Sequence, residues 1–193
     1  MTNKYYITTP IYYVNDKPHI GHAYTSVATD FIARFMRLND YDVRFQTGTD
    51  EHGLKIQKAA ESKGKEPLEL CDENSRIFRD LTTTLDLSND DFIRTTEQRH
   101  IDGASFLWNR LHERNQIYLG EYTGWYSIND ETFYNEKDLI KQNDGSLKTV
   151  TGGPVEWITE KSYFFKLSEW SDKLLDIYKK NPDFISPKSK RNE

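Results

Sequence analysis

Short runs of β-branched and aromatic residues alternate with longer helical patterns over the first hundred residues. The run KYYITT at Lys4–Thr9 predicts a strand that stops at Pro10. Apolar positions then recur three and four residues apart over Ile20–Asn39, which predicts a helix. After the polar turn NDYD, a second strand is predicted over Val43–Gly48.

Three more helices and a third strand are predicted before residue 115. The helices cover Glu51–Lys63, Pro67–Leu85 and Glu97–Arg114, and the strand covers Asp91–Thr96. Thr95 or Thr96 is a candidate cap for the last helix. Strands that alternate with helices in this order predict an α/β fold with a parallel sheet and crossover helices. Three strands are about half of a doubly wound sheet, so only the first half of such a domain is expected.

The pattern changes after residue 116. Residues 117–157 are aromatic and turn-rich, which predicts a small β-rich insertion. A last amphipathic helix is predicted over Leu167–Lys179. The residues on its apolar face are Trp170, Leu174, Leu175 and Tyr178.

Composition narrows the class of protein. The 193 residues are 36% hydrophobic, 13% aromatic and 30% charged, as in a globular domain. A formal net charge of -5 disfavours a dedicated nucleic-acid binder. The single cysteine, Cys71, excludes an internal disulfide and a Cys-rich zinc site. Without a secretory signal or an apolar run of ~20 residues, we expect a soluble, cytoplasmic protein with no membrane partner.

Two histidines flank a glycine where the first predicted strand gives way to the first helix. The segment Pro10–His22 reads PIYYVNDKPHIGH and contains His19, Gly21 and His22. A helix N-terminus offers free N–H groups and partial positive charge to a phosphate. Glycine permits close approach, and both imidazoles can donate to phosphate oxygens. The pattern favours nucleotide binding and nucleotidyl transfer, although histidines that only cap a helix give the same short motif.

A second polar cluster, GTDEHG over Gly48–Gly53, follows the second predicted strand. Because ligands of open α/β sheets bind outside the carboxyl ends of the strands, Asp50, Glu51 and His52 are expected in the same crevice as the two histidines. The Asp50 carboxylate can hold a substrate ammonium group there. Two other interpretations stay open: Asp50 caps the next helix, or the three side chains bind a metal.

With these segments in hand, the sequence resembles the N-terminal part of bacterial methionyl-tRNA synthetases, a family of class I aminoacyl-tRNA synthetases. The resemblance runs through TTPIYYVNDKPHIGHAYT, FQTGTDEHGLKIQKAAE, GWYSINDETFY and VEWITEKSYFFKLSEW. It implies the first half of a Rossmann-like catalytic domain over residues 1–115. Residues 116–193 are then the connective insertion and the helix that follows. The resemblance also implies ATP, Mg²⁺, methionine and tRNA as ligands, with methionyl-adenylate as intermediate.

The resemblance implies roles for single residues. Those implied to contact ATP are His19, Gly21, His22 and His52. Those implied to line the methionine pocket are Pro10, Ile11, Tyr13 and Asp50. Of these, His19 and His22 are the implied catalytic pair. Tyr13 can offer its hydroxyl to the thioether, and Asp50 is implied to bind the α-ammonium group.

The insertion departs from the family pattern. Many members carry a Cys-x-x-Cys zinc knuckle after the Gly-Trp-Tyr stretch, where this chain has Ser127 and Asp130. Serine is a poor zinc ligand, so no zinc is predicted and the tip must be held by packing. The residues expected to pack there are Trp125, Tyr126, Phe133 and Tyr134.

The later strands, the Lys-Met-Ser-Lys-Ser loop and the anticodon-binding helices of the family have no counterpart before Glu193. The sequence is therefore interpreted as a truncated methionine--tRNA ligase, inactive alone, with the strand Tyr5–Thr9 at a sheet edge. Its oligomeric state stays open. One alternative is a non-catalytic fragment that binds a complementary chain or RNA. Another is a small nucleotidyltransferase, against which the long match through the insertion argues.

Overall fold

The computed structural model describes residues 3–192, which form two compact units. The first unit extends to Ser105 and includes Ile128–Glu131. The second contains Phe106–Ser127 and the residues from Thr132 onward. The boundary between the units lies within a helix, between Ser105 and Phe106. The sequence had suggested a boundary later in the chain, at residue 115.

The first unit contains four parallel strands and three helices, and a fourth helix spans the boundary between the two units. The strands are β1 Lys4–Thr8, β2 Tyr12–Tyr13, β3 Asp42–Asp50 and β4 Asp91–Arg94. The helices are α1 Ile20–Leu38, α2 Leu54–Ser62, α3 Pro67–Thr84 and α4 Gln98–Glu113. The predicted α/β fold with a parallel sheet is confirmed.

Strand β3 is the centre of this sheet. Gln46 pairs with both Thr8 and Asp91, so β1 and β4 lie on opposite edges of β3. Strand β2 was not predicted, and it resumes the pairing on the β1 side through Tyr12↔Thr49. Proline 10 separates β1 from β2 because a proline has no N–H to give to the ladder. Among residues 3–192, β1 pairs with β3 alone, which confirms the expected sheet edge.

The core of this unit forms two clusters, one of which lies between α1 and the sheet. That cluster contains Ala33, Val43 and Phe45, with Phe45 fully buried. The other cluster contains Tyr12, Val14, Ile56, Cys71, Phe78 and Phe92. Helices α2 and α3 thus supply the second layer, as crossover helices do in α/β folds.

Helix α1 buries small and polar residues and exposes its large apolar ones. Its buried residues are Ser26, Thr29, Asp30 and Ala33. Its exposed apolar residues are Ile20, Tyr24, Val27, Phe31, Ile32, Phe35 and Leu38. Ile20 and Leu38 are each 85% exposed. We call these seven residues the α1 stripe; an apolar patch of this kind usually marks an interaction surface.

Two predicted helix starts differ from the structure. Helix α2 begins at Leu54 rather than at residue 51, because Gly53 has a φ of 105°, outside the helical region. Helix α4 begins at Gln98, and the expected threonine caps are engaged elsewhere. The Thr95 hydroxyl accepts the Glu51 N–H at 2.9 Å, and the Thr96 hydroxyl donates to the Glu51 carboxylate at 2.5 Å.

The second unit is β-rich, as predicted. Its strands are β5 Ile117–Ser127, β6 Thr132–Tyr134, β7 Ile140–Lys141, β8 Leu147–Lys148 and β9 Glu156–Phe165. Strand β5 pairs antiparallel with both β6 and β9. The predicted last helix divides into a 3₁₀ turn, Leu167–Trp170, and α5, Ser171–Lys180.

Aromatic packing holds the hairpin of β5 and β6. The rings of Tyr126 and Phe133 lie 5.0 Å apart between centroids, and those of Trp125 and Trp157 lie 5.2 Å apart. Tyr134 stands opposite Trp125 in the ladder. The expected aromatic packing is thus confirmed for Trp125, Tyr126 and Phe133.

Candidate active site

The two motif histidines form a reciprocal cap at the start of α1. His19 Nδ1 accepts the Gly21 N–H at 3.1 Å, and His22 Nδ1 accepts the His19 N–H at 3.0 Å. This is the geometry of a capping box, built here from two imidazoles. Because each Nδ1 accepts a hydrogen bond, each neutral ring carries its proton on Nε2, which can then donate.

Gly21 is needed for this local fold. A Cβ atom at Gly21 would lie 2.9 Å from His19 Cε1, closer than real side-chain contacts allow. The missing side chain therefore makes room for the imidazole that caps the helix. The sequence had suggested room for a ligand, and the structure adds this internal reason for glycine.

The ring of His22 packs within the core layer. Its centroid lies 4.8 Å from that of Tyr12 and 5.1 Å from that of Phe78. The His19 ring lies 3.9 Å away. Burial, followed by the neighbouring His19, lowers the pKa of His22. The neutral imidazole is therefore favoured, and it acts as a hydrogen-bond donor rather than as a cation.

A cleft of about 590 Å³ opens in front of the two histidines. Its lining residues are Ile11, Tyr12, Tyr13, Asn15, Asp16, Lys17, His19 and His22. The structure thus brings four of the eight predicted site residues to one cavity. Pro10 and Gly21 lie in the adjoining backbone without lining it.

Tyr13 and Asp50 are neighbours through the parallel pairing of β2 with β3. Burial raises the pKa of the Tyr13 phenol, and the charges of Glu131 and Asp50 raise it further. Asp50 is partly exposed at the carboxyl end of β3. A carboxylate in this position, next to the cleft, can accept hydrogen bonds from an ammonium group.

Glu51 does not reach the cleft. The expectation that Asp50, Glu51 and His52 share one crevice with His19 and His22 is therefore wrong for Glu51. Its side chain is 0% exposed and accepts from Arg94 Nε at 2.8 Å and from the Thr49 hydroxyl at 2.7 Å. Side chains of consecutive residues diverge, so Glu51 turns into the protein where Asp50 turns towards solvent.

His52 lines a separate cleft of about 480 Å³ beside α2 and the start of α3. Its Nε2 lies 3.3 Å from the Thr95 carbonyl oxygen. His52 and the His19–His22 pair therefore face different cavities in this structure. The predicted contact of His52 with ATP stays a prediction.

Sequence reasoning missed Glu131 and Lys55. Glu131 Oε2 accepts the Tyr13 hydroxyl at 3.4 Å and lies 3.6 Å from Lys55 Nζ. The sequence separation of 118 residues between Tyr13 and Glu131 left no local signal. Lys17, in the loop before His19, also lines the cleft and was not singled out.

Across residues 3–192, no group of three or more His, Cys, Asp or Glu side chains is arranged to hold a metal ion. The metal interpretation of Asp50, Glu51 and His52 therefore has no support in the geometry. Ser127, which stands where many family members have a zinc-binding cysteine, is fully buried. Within the same residues, no helix is both long and apolar enough to cross a bilayer.

Curated relatives match the whole chain. It is 58% identical over 193 residues to the methionine--tRNA ligase of Rickettsia conorii, covering 100% of this chain and 37% of the relative. It is 52% identical over 190 residues to that of Mesorhizobium japonicum, covering 98% of this chain and 37% of the relative. The chain thus spans just over a third of the length of the relatives it matches.

Solved structures agree with the fold. The Mycobacterium tuberculosis methionyl-tRNA synthetase in complex with methionyl-adenylate superposes with a TM-score of 0.91 at 49% identity, over 100% of this chain and 38% of that one. An Agrobacterium radiobacter LeuRS in a ternary complex with tRNA has a TM-score of 0.73 at 20% identity over 93% of this chain and 23% of that one, which supports the fold alone. The family model for tRNA synthetases class I (M) matches residues 5–145, and the chain belongs to this family.

Proposed function

We propose that this chain carries the HxGH half of a methionine-activating site, and that the intact enzyme is a methionine--tRNA ligase acting in the cytoplasm. One observation supports this most: the cleft in front of α1 is lined by His19, His22 and Tyr13, with Asp50 beside Tyr13. It lies outside the carboxyl ends of parallel strands, where open α/β sheets bind their ligands. The proposed substrates are methionine, ATP with Mg²⁺, and tRNA.

The proposed reaction is attack of the methionine carboxylate on the α-phosphorus of ATP, with pyrophosphate as leaving group. The Nε2–H groups of His19 and His22 donate to phosphate oxygens on which negative charge develops. Their Nδ1 atoms are fixed by backbone N–H groups, so the rings are oriented before the substrate arrives. No general base is needed, because a carboxylate is ionised at neutral pH.

Asp50 and Tyr13 are proposed to orient the amino acid. The carboxylate of Asp50 binds the α-ammonium group. The ring of Tyr13, whose hydroxyl donates to Glu131, lines the pocket for the methionine side chain. Ile11, which is 42% exposed in the cleft, and Pro10 provide apolar contacts. Gly21 and His52 are proposed on the nucleotide side. No zinc is proposed in the insertion, where Ser127 and Asp130 replace the family's cysteines.

A second candidate function is binding to a complementary polypeptide. The α1 stripe and the edge of β1 that has no strand partner within residues 3–192 favour it, because both are surfaces that α/β domains normally cover. The two functions are compatible. Orientation of the substrates between two sides of a site contributes several kcal/mol to catalysis. A second polypeptide would supply the side of the cleft opposite His19 and His22.

The test is methionine-dependent ATP–pyrophosphate exchange with the 193-residue chain and its Asp50→Ala variant. The same assay is repeated after addition of the separately expressed remainder of the Rickettsia conorii relative. Exchange that requires both the added polypeptide and Asp50 supports both functions. If the chain alone catalyses exchange and Asp50→Ala abolishes it, the site is supported and no second polypeptide is needed for activity. No exchange in any mixture, from folded protein, contradicts the proposal.

A further inference from the structure

The turn between β5 and β6 brings a carboxylate to the amino-acid side of the cleft. Glu131 is the last residue of this turn, and residues Ile128–Glu131 belong to the first compact unit. Glu131 has a φ of 52°, a left-handed conformation that a residue with a Cβ adopts at a cost of about 1 kcal/mol. Its side chain is only 23% exposed, although glutamate is normally a surface residue.

Three side chains contact one another around this carboxylate. Glu131 Oε2 accepts the Tyr13 hydroxyl at 3.4 Å and lies 3.6 Å from Lys55 Nζ. Lys55 Nζ in turn lies 5.5 Å from the centre of the Tyr13 ring, within reach of a cation–π contact. Glu131 therefore restrains both the hydroxyl of Tyr13 and the ammonium group above its ring.

The other oxygen of Glu131 faces the start of α2. Oε1 is buried, has no hydrogen-bond partner among the described residues, and lies 3.6 Å from where a Cβ of Gly53 would be. Helix α2 begins after Gly53 without a side-chain cap and has no acidic residue in its first turn. A carboxylate near such a terminus is favoured by the helix dipole. This interaction helps to retain Glu131 in its half-buried position.

Lys55 makes the placement of Glu131 important for substrate binding. Asp50 stands beside Tyr13 in the sheet, and the Lys55 ammonium lies over the ring of the same tyrosine. Within the described chain, Glu131 is the carboxylate that forms an ion pair with Lys55. Without it, Lys55 can turn to Asp50 and occupy the carboxylate proposed for the substrate ammonium.

We propose that Glu131 is a positioning residue for the amino-acid pocket: it fixes the Tyr13 hydroxyl and holds Lys55 away from Asp50. This inference rests on the proposed function in so far as Tyr13 and Asp50 take the amino acid. It gives the turn between β5 and β6 a role in amino-acid binding, through the carboxylate of Glu131.

The first test follows the Tyr13 phenol by NMR in the 193-residue chain labelled with ¹³C-tyrosine, with Tyr13→Phe to assign the signal. Glu131→Gln removes a neighbouring negative charge, so the pKa of Tyr13 is expected to fall. Glu136→Gln, an exposed glutamate five residues away, makes the same change in charge and is expected to leave the Tyr13 pKa unchanged. Equal Tyr13 pKa values in the wild type and Glu131→Gln overturn the inference.

The second test titrates methionine and follows the same Tyr13 signal. Loss of an ion pair and a charge-assisted hydrogen bond predicts about fivefold weaker methionine binding in Glu131→Gln. Adding Lys55→Met to Glu131→Gln is expected to restore the affinity to within about twofold, because the competing ammonium is gone. Equal affinities in the wild type and Glu131→Gln overturn the positioning role. A wild-type Tyr13 signal that ignores methionine instead overturns the proposed pocket, while the Tyr13 pKa comparison still decides the contact with Glu131.

Discussion

The buried carboxylate of Glu51 lies 2.8 Å from Arg94 Nε, across the carboxyl ends of the adjacent strands β3 and β4. Arg94 also donates to Asp72 on α3 at 2.5 Å. Arg94 and its two carboxylate partners thus connect two strands and a helix next to Asp50, the last residue of β3. This contact is structural, whereas the residues on either side of Glu51 face solvent.

Glu51→Ala is expected to lower the free energy of unfolding by about 3–5 kcal/mol, because it leaves the guanidinium of Arg94 without its buried partner. Chemical denaturation measures the loss. The double variant Glu51→Leu with Arg94→Met removes both charges and is expected to recover a large part of the stability. If the single variant costs less than about 1 kcal/mol, the ion pair does not hold the strands together.

The same contact has a pH signature. Burial raises the pKa of Glu51, but hydrogen bonds from Arg94, Thr96 and Thr49 outweigh it and hold that pKa below its usual value. A depressed carboxyl pKa contributes stability that is present above the unfolded value of about 4.3 and is lost as the pH falls through the folded pKa. Denaturation at a series of acidic pH values should show this loss in the wild type. Glu51→Gln should lack that component.

Gly48→Ala is expected to disrupt the sheet. A Cβ at Gly48 would lie 2.0 Å from the carbonyl oxygen of Ile93, so β3 and β4 would have to separate. The matched control is Gly103→Ala, since a Cβ at that exposed position in α4 meets nothing within 4 Å. Thermal unfolding should show a loss for Gly48→Ala and a gain of roughly 0.5–1 kcal/mol for Gly103→Ala. Equal effects would contradict the close approach of the two strands.

The imidazole cap predicts a loss of stability in mildly acidic solution. Burial and His19 lower the pKa of His22. Stability is therefore fully present above the unfolded pKa of about 6.5 and falls as the pH drops through the folded pKa. His22→Gln keeps a capping acceptor that does not titrate, so its unfolding free energy should change less between about pH 7.5 and 5. A pH dependence that matches the wild type would show that His22 does not contribute it.

The α1 stripe predicts that exposed apolar residues can be replaced without loss of the fold. Phe31 and Leu38 are 70% and 85% exposed. The double variant Phe31→Ser with Leu38→Ser should reduce the binding of a hydrophobic dye and self-association, and leave the unfolding temperature nearly unchanged. Phe45→Ala, at a fully buried position, should cost about 3–5 kcal/mol. A large fall in unfolding temperature for the double variant would mean that the stripe is buried in solution.

Local pattern predicted the element order well, because helical and strand periodicities are properties of a few neighbouring residues. It predicted β1, α1, β3 and β4 to within a few residues. The start of α2 was misplaced because the sequence did not reveal the positive φ of Gly53. Strand β2 was missed because two residues are too short to show any period.

The sequence by itself determined that His19, Gly21 and His22 stand together at a helix start, since the capping box spans only four residues. Tertiary structure decided the contacts between residues far apart in the chain. It turned Glu51 inward to Arg94, left the apolar side of α1 exposed, and brought Glu131 to Tyr13 across 118 residues of chain. Such contacts depend on how strands pair and how turns fold back onto the sheet. The sequence around each residue therefore does not predict them.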